Sequence, residues 1–178
     1  MVATRNERSA ENTGDWHDFF LATAGAAAVL AGLVFVGVSI NLGMIVSNPT
    51  YGLTGRALEA LVLLVAVLIV TCLLLVPGQG TVLAGVEILA VGAADWAAVV
   101  AIQVLHLRRN WGALETDLRR HSVVRVVLGQ VATLPFVVAG VAVLSWGVGG
   151  LYWLVVAVVL SLLVAVADAW VLLVEIQR

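Results

Sequence analysis

The sequence predicts an all-α, polytopic membrane protein: a bundle of five transmembrane helices with its N-terminus outside and its C-terminus inside. Three observations carry that expectation. Of 178 residues, 62% are apolar and only 11% are charged, against about 25% charged in soluble domains. Five stretches reach the roughly 20 apolar residues that a hydrocarbon core of about 30 Å requires. The nine basic residues, all arginine, divide unevenly between alternate connections, which orients such a chain.

The first span is expected at Phe19–Val46, after a polar tail over residues 1–16. The first 18 residues carry more acid than base and no small-residue cleavage site follows, so an uncleaved N-terminus is expected. Within the span Gly25, Ala28, Gly32, Ser39 and Gly43 fall on one stripe. Small residues there let helix backbones approach closely. Packing within the bundle is the first reading of that stripe, and a seam between chains the second.

The turn-rich run Ser47 to Gly52 leads to a second span, Ala57–Val76, and Pro77-Gly78-Gln79-Gly80 reverses the chain into a third, Gly80–Leu107. The connection over residues 108–122 is long and charged. Leu107, Trp111, Leu114 and Leu118 recur within it near helical spacing, which predicts a short amphipathic helix lying in the interface. A fourth span, Val123–Trp146, contains Gly129, Pro135 and Gly140, a pattern that predicts a kink. Pro135 leaves the Val131 carbonyl without its donor, and Gln130 or Thr133 could compensate. Gly147 to Gly150 turns the chain into the fifth span, Gly150–Ile176. Trp96 and Ile102-Gln103 recur as Trp170 and Ile176-Gln177 at an offset of 74, an echo that either a duplicated helix pair or chance produces.

Alternation of five spans puts Arg56, Arg108, Arg109, Arg119, Arg120, Arg125 and Arg178 on one side and Arg5 and Arg8 on the other. The larger set belongs in the cytoplasm of a bacterial plasma (inner) membrane protein. Trp16, Trp146, Tyr152 and Trp153 then fall at the outer boundary, Tyr51 and Trp111 at the inner one, as an aromatic belt requires.

Acids inside the spans are the candidate functional residues. Glu87, Asp95 and Asp168 stand in apolar surroundings. An ionised carboxylate there costs at least about 2.5–3.5 kcal/mol, so each must be protonated, paired or in contact with water. Asp95 has no base at its depth, which leaves two roles open: a structural, protonated hydrogen-bond donor or a proton carrier. Nearer the cytoplasm Asn41, Arg56, Glu59, Gln103, His106, Arg125, Asp168 and Glu175 converge in depth. They form either a buried polar network or the inner mouth of a pathway. Arg56 and Glu59 can pair locally. Across helices, Arg125 is the expected partner of Asp168, with Arg56 its rival.

The lone Cys72 excludes an intramolecular disulfide and a cysteine-cluster metal site. A Gly-rich phosphate loop, paired histidines at metal-ligand spacing and a Ser/His/Asp arrangement are all missing, so neither an enzyme nor a cofactor is expected. Without a basic arm carrying aromatics, nucleic acid is not an expected partner.

Several segments taken together suggest a family. They are Asp15-Trp16-His17-Asp18-Phe19-Phe20, Gly32-Leu33-Val34-Phe35-Val36 with Val38-Ser39-Ile40-Asn41-Leu42, Arg56-Ala57-Leu58-Glu59-Ala60-Leu61, Val76-Pro77-Gly78-Gln79, and the ending Ala169-Trp170-Val171-Leu172-Leu173-Val174-Glu175-Ile176. Across nearly the whole chain the sequence resembles small multi-span membrane proteins of actinobacteria, some labelled "modulator of FtsH protease". The resemblance implies a regulatory or assembly partner of another membrane complex, such as a membrane-embedded protease, or a homo-oligomer. It carries over no site residues. The alternative class is a small oligomeric ion or proton channel or transporter using Glu87, Asp95 and Asp168.

Overall fold

The computed structural model describes residues 3–40, 43, 53–110 and 116–175. They are all-α: α1 Ala3–Ile40, α2 Leu53–Leu74, α3 Thr81–Asn110, α4 Thr116–Trp146, a 3-10 turn Gly147–Gly150, and α5 Leu151–Glu175. Among the described residues four helical stretches are long and apolar enough to cross a membrane: Trp16–Ile40, Thr54–Leu74, Thr81–Leu105 and Val123–Trp170. The last spans 48 residues and includes the 3-10 turn, at which the chain folds back so that α5 packs on α4.

Both reversals use backbone that a side chain resists. Gly78 and Gly147 have φ of +80° and +65°, a region in which glycine alone is unstrained. A Cβ on Gly150 would run into the Ala142–Val143 backbone, so that turn can close this tightly only with glycine.

Helix lengths differ from the sequence expectation in two places. The segment expected as a polar tail is helical from Ala3, continuous with the first span. The interfacial helix expected over 108–122 is instead the end of α3, reaching Asn110, and the start of α4 at Thr116. Adding a residue to an existing helix gains a hydrogen bond for each residue fixed, whereas a new short helix bears the nucleation cost. The helical spacing therefore lengthens its neighbours. Trp111 and Leu114 lie outside the described residues, as do positions 41, 42 and 44–52.

Helices α2 to α5 form a ring in which each packs on its sequence neighbours and α5 closes back on α2; α1 lies outside, mainly against α2. Two apolar clusters fill the interior. Phe20, Val67, Val70, Ile88, Phe136, Val143, Leu154 and Val158 make the first, and Val34, Ala60, Leu63, Leu64, Val99, Ala132 and Ala165 the second. Trp16 stacks on Phe20 at 5.9 Å and meets Tyr152 edge-on at 5.3 Å, tying α1 to the start of α5.

The closest approach is between α3 and the antiparallel α4. A Cβ on Gly92 would press on Phe136, one on Gly140 on the Leu89 backbone, and one on Gly85 on Leu144. Gly140, part of the expected kink pattern, is thus a contact point. Helix α4 runs through Pro135 without a break. Neither expected compensator serves the Val131 carbonyl: Thr133 Oγ1 donates to Gly129 O at 2.9 Å, and Gln130 is engaged elsewhere.

The small-residue stripe of α1 also departs from its first reading. Gly25, Ala28, Gly32, Ser39 and Gly43 are exposed, and a Cβ on Gly25, Gly32 or Gly43 would meet nothing within 4 Å. The helix turns Phe20, Ala24, Ala27 and Val34 inward instead. Those larger apolar positions bury more surface against α2 than glycines would.

Candidate functional site

Two features concentrate the chemistry, a closed polar network at one end of the ring and a lone carboxyl beside a groove. Both follow from where the helices place a few polar residues in an apolar chain.

The network centres on Glu59 of α2, which is 1% exposed. Its Oε2 accepts from Arg125 Nε at 2.9 Å and Nη2 at 2.8 Å, and its Oε1 accepts from Gln103 Nε2 at 2.9 Å. Gln103 Oε1 in turn accepts from Gln130 Nε2 at 3.2 Å, and Gln130 Oε1 from Trp96 Nε1 at 2.7 Å. Every donor in this chain points toward the carboxylate. A polarised series of that kind strengthens each link in a low-dielectric interior. It clamps α2, α3 and α4 together.

Gly129 makes room for it. A Cβ at that position would collide with Gln103 Nε2 and lie 2.6 Å from Glu59 Oε1. The residue that the sequence placed in a kink pattern is therefore the floor of the polar cluster.

A second pair ties α2 to α5. Arg56 Nη1 lies 3.6 Å from Asp168 Oδ1, and Glu59 and Arg125 lie within electrostatic range of that carboxyl. The expected Arg125–Asp168 ion pair is thus replaced: Arg125 goes to Glu59 and Asp168 to Arg56. The physical reason is room across the ring. Helix α4 packs on α5 and barely touches α2, yet Gly55 of α2 leaves space for the Arg125 guanidinium, since a Cβ there would lie 3.0 Å from Nη2, and Glu59 offers that guanidinium two hydrogen bonds. The local Arg56–Glu59 pair also gives way to these cross-helix contacts.

Of the residues expected to converge at the inner end, the structure brings together Arg56, Glu59, Gln103, Arg125 and Asp168. Asn41 and the side chains of His106 and Glu175 lie outside the described residues. Trp96 and Gln130 were not assigned to the network from sequence. The available signal was depth, because on antiparallel α3 and α4 the residue numbers of facing positions sum to a near-constant value, as Leu89 with Gly140 and Gly92 with Phe136 do. Gln103 and Gln130 fall close to that sum.

Glu87 sits apart, nearer the other end. Its Oε2 accepts from Gln79 Nε2 at 3.0 Å, beside a crevice of about 820 Å³ bordered by Trp16, His17 and Phe20. Glu87, Asp95 and Asp168 thus occupy three separate settings.

Asp95 is the exception among them. It is 4% exposed, and neither carboxyl oxygen has a hydrogen-bond partner among the described residues. It lies two residues past the midpoint of the Thr81–Leu105 stretch. It borders a groove of about 280 Å³ between α2 and α3 whose other lining is wholly apolar. Among the described residues no group of three or more His, Cys, Asp or Glu is placed to hold a metal ion.

No family model, no curated protein and no solved structure matches the chain.

Proposed function

We propose that this chain is a five-span protein of a bacterial plasma membrane, N-terminus outside and C-terminus in the cytoplasm, that works by assembling laterally with another membrane protein, without catalysis of its own. The observation that carries the reading is the outward stripe of α1. In lipid no hydrophobic force separates a helix from its surroundings, so association depends on close backbone approach, and rows of small residues allow it. Gly25, Ala28, Gly32, Ser39 and Gly43 form such a row on a face that the chain's own bundle leaves open.

Further support comes from three sources. The 48-residue stretch Val123–Trp170 would be about 70 Å long at 1.5 Å per residue, more than twice a hydrocarbon core, and its reversal at Gly147–Gly150 supports reading it as two spans. The seven-to-two division of arginine supports the orientation. The resemblance to small actinobacterial membrane proteins, some labelled as modulators of a membrane protease, supports the partner class.

Co-purification from native membranes tests the reading. A defined membrane protein should accompany the wild-type chain and be lost with Gly32→Leu, while Val138→Leu, on the exposed face of α4, keeps it. Recovery of the wild-type chain only as a monomer would contradict assembly. The unpartnered Asp95 favours a competing reading, an ion or proton pathway through Glu87, Asp95 and Asp168, and proton flux through reconstituted wild-type protein is its test.

A further inference from the structure

The groove between α2 and α3 pairs two properties that do not belong together unless something fills it. Its surface is apolar and open along its length, with Val65 and Ile69 standing exposed on the α2 side and Ala94 and Ala98, one helical turn apart, on the α3 side. Ala66 is buried beneath, and beside it lies Asp95, 96% buried with both oxygens unpaired. The two intramembrane arginines that the bundle supplies are already committed, Arg56 to Asp168 and Arg125 to Glu59. Nothing in the described chain completes Asp95.

A buried carboxyl without a partner is costly in a protein interior and more so at mid-membrane depth. The missing half is a hydrogen-bond donor or cation at the same depth. The shape says what carries it. A small-molecule site encloses most of its ligand, whereas this furrow stays open and follows two helices for about two turns. Small side chains on α3 leave room for a backbone to approach closely, the usual condition for helix packing in lipid.

We propose that the α2–α3 groove is the docking seat for a single transmembrane helix of a partner that presents a basic side chain at mid-span, where Asp95 receives it. The proposal deepens the assembly reading above and rests on it. Stripe and groove are carried by different helices, the stripe by α1 and the groove by α2 and α3. A partner helix seated in the groove would be specified by its one charge, and the rest of its contact surface would be apolar.

Synthetic transmembrane helices provide the probe. Leu/Ala peptides of about 23 residues, differing only in a central Arg, Asn or Leu and carrying one cysteine a turn away, are reconstituted in liposomes with the full-length protein bearing Cys72→Ser and Ile69→Cys. Disulfide formation at position 69 reports occupancy. A central residue reads the same in either peptide orientation. The Arg peptide should cross-link roughly threefold to tenfold more than the Leu peptide, with the Asn peptide between them. The advantage should vanish in Asp95→Leu. Asp95→Asn keeps the shape while removing the charge, so it carries the test if the leucine variant does not fold; it should bring the Arg peptide down to the level of the Asn peptide.

Equal yields for Arg and Leu peptides would overturn the proposal, leaving an apolar furrow filled by lipid. So would an Arg advantage that survives both substitutions, or no cross-linking at all. Because the peptides are not the native partner, such a failure leaves stripe-dependent co-purification standing. Loss of co-purification with selective peptide capture intact would remove the assembly reading instead.

Discussion

Glu59 and Asp95 are both buried carboxylic acids, on adjacent helices of one bundle, and they differ in everything that matters energetically. Glu59 receives two hydrogen bonds from Arg125 and one from Gln103, and lies at the end of a chain of donors that reaches Trp96. Asp95 neighbours Trp96 in sequence, yet its oxygens receive nothing. Burial therefore does not distinguish a structural acid from an available one. The partner does. One region is complete within its own chain and locks three helices; the other is buried and incomplete beside a lateral groove.

The comparison breaks first if Glu59 proves dispensable. Glu59→Leu strands Arg125 and leaves Gln103 without its acceptor, and removing one member of a buried pair costs about 3–5 kcal/mol. Unfolding in detergent should show that loss, and the double variant Glu59→Leu/Arg125→Leu should recover much of it. Additive losses would show that the two groups do not act as a unit.

Next in size is the space beneath the network. Gly129→Ala drives a methyl group into Gln103 and Glu59, and Gly140→Ala drives one into the Leu89 backbone. Overpacking of this kind costs about 1–3 kcal/mol. The substitution at 129 should also weaken the Glu59–Arg125 coupling, measured by repeating that cycle in the Gly129→Ala background; the one at 140 should leave it unchanged.

A smaller effect sharpens the distinction within the polar end itself. Arg56 and Asp168 are 3.6 Å apart and partly accessible, so their coupling in a double-mutant cycle should be about 1 kcal/mol or less. The Arg125–Glu59 cycle should exceed it clearly. Equal couplings would mean that this end of the bundle is one diffuse cluster.

Much of this architecture was legible in the sequence because apolar runs long enough to cross a membrane leave few choices. Apolar runs separated by Pro77-Gly78 and Gly147–Gly150 had to become helices with reversals between them, since a spanning backbone must satisfy its own hydrogen bonds. The depth at which Arg56, Glu59, Gln103, Arg125 and Asp168 meet was legible too, because rise per residue is fixed. What the sequence withheld was rotation and ring order. Depth alone offered Arg125 to Asp168, whereas the space beside Gly55 lets Arg125 reach across the ring to Glu59. The α1 stripe met the same difficulty, since in a bilayer both faces of a helix are apolar and hydropathy does not tell inside from outside. Gly129 and Gly140 fit a kink in the sequence because Pro135 lies between them; their role depends on which side chains oppose them.

The smallest expected effect is the most telling. If Asp95 is held in reserve for a partner, no group of its own chain depends on it, and Asp95→Leu should leave the thermal unfolding midpoint of the isolated protein in detergent at or slightly above that of wild type, while Glu59→Leu falls well below. Measured side by side, those two midpoints test the account directly. A loss for Asp95→Leu as large as that for Glu59→Leu would mean that Asp95 is bound within its own bundle, and would contradict the division between a completed site and an open one.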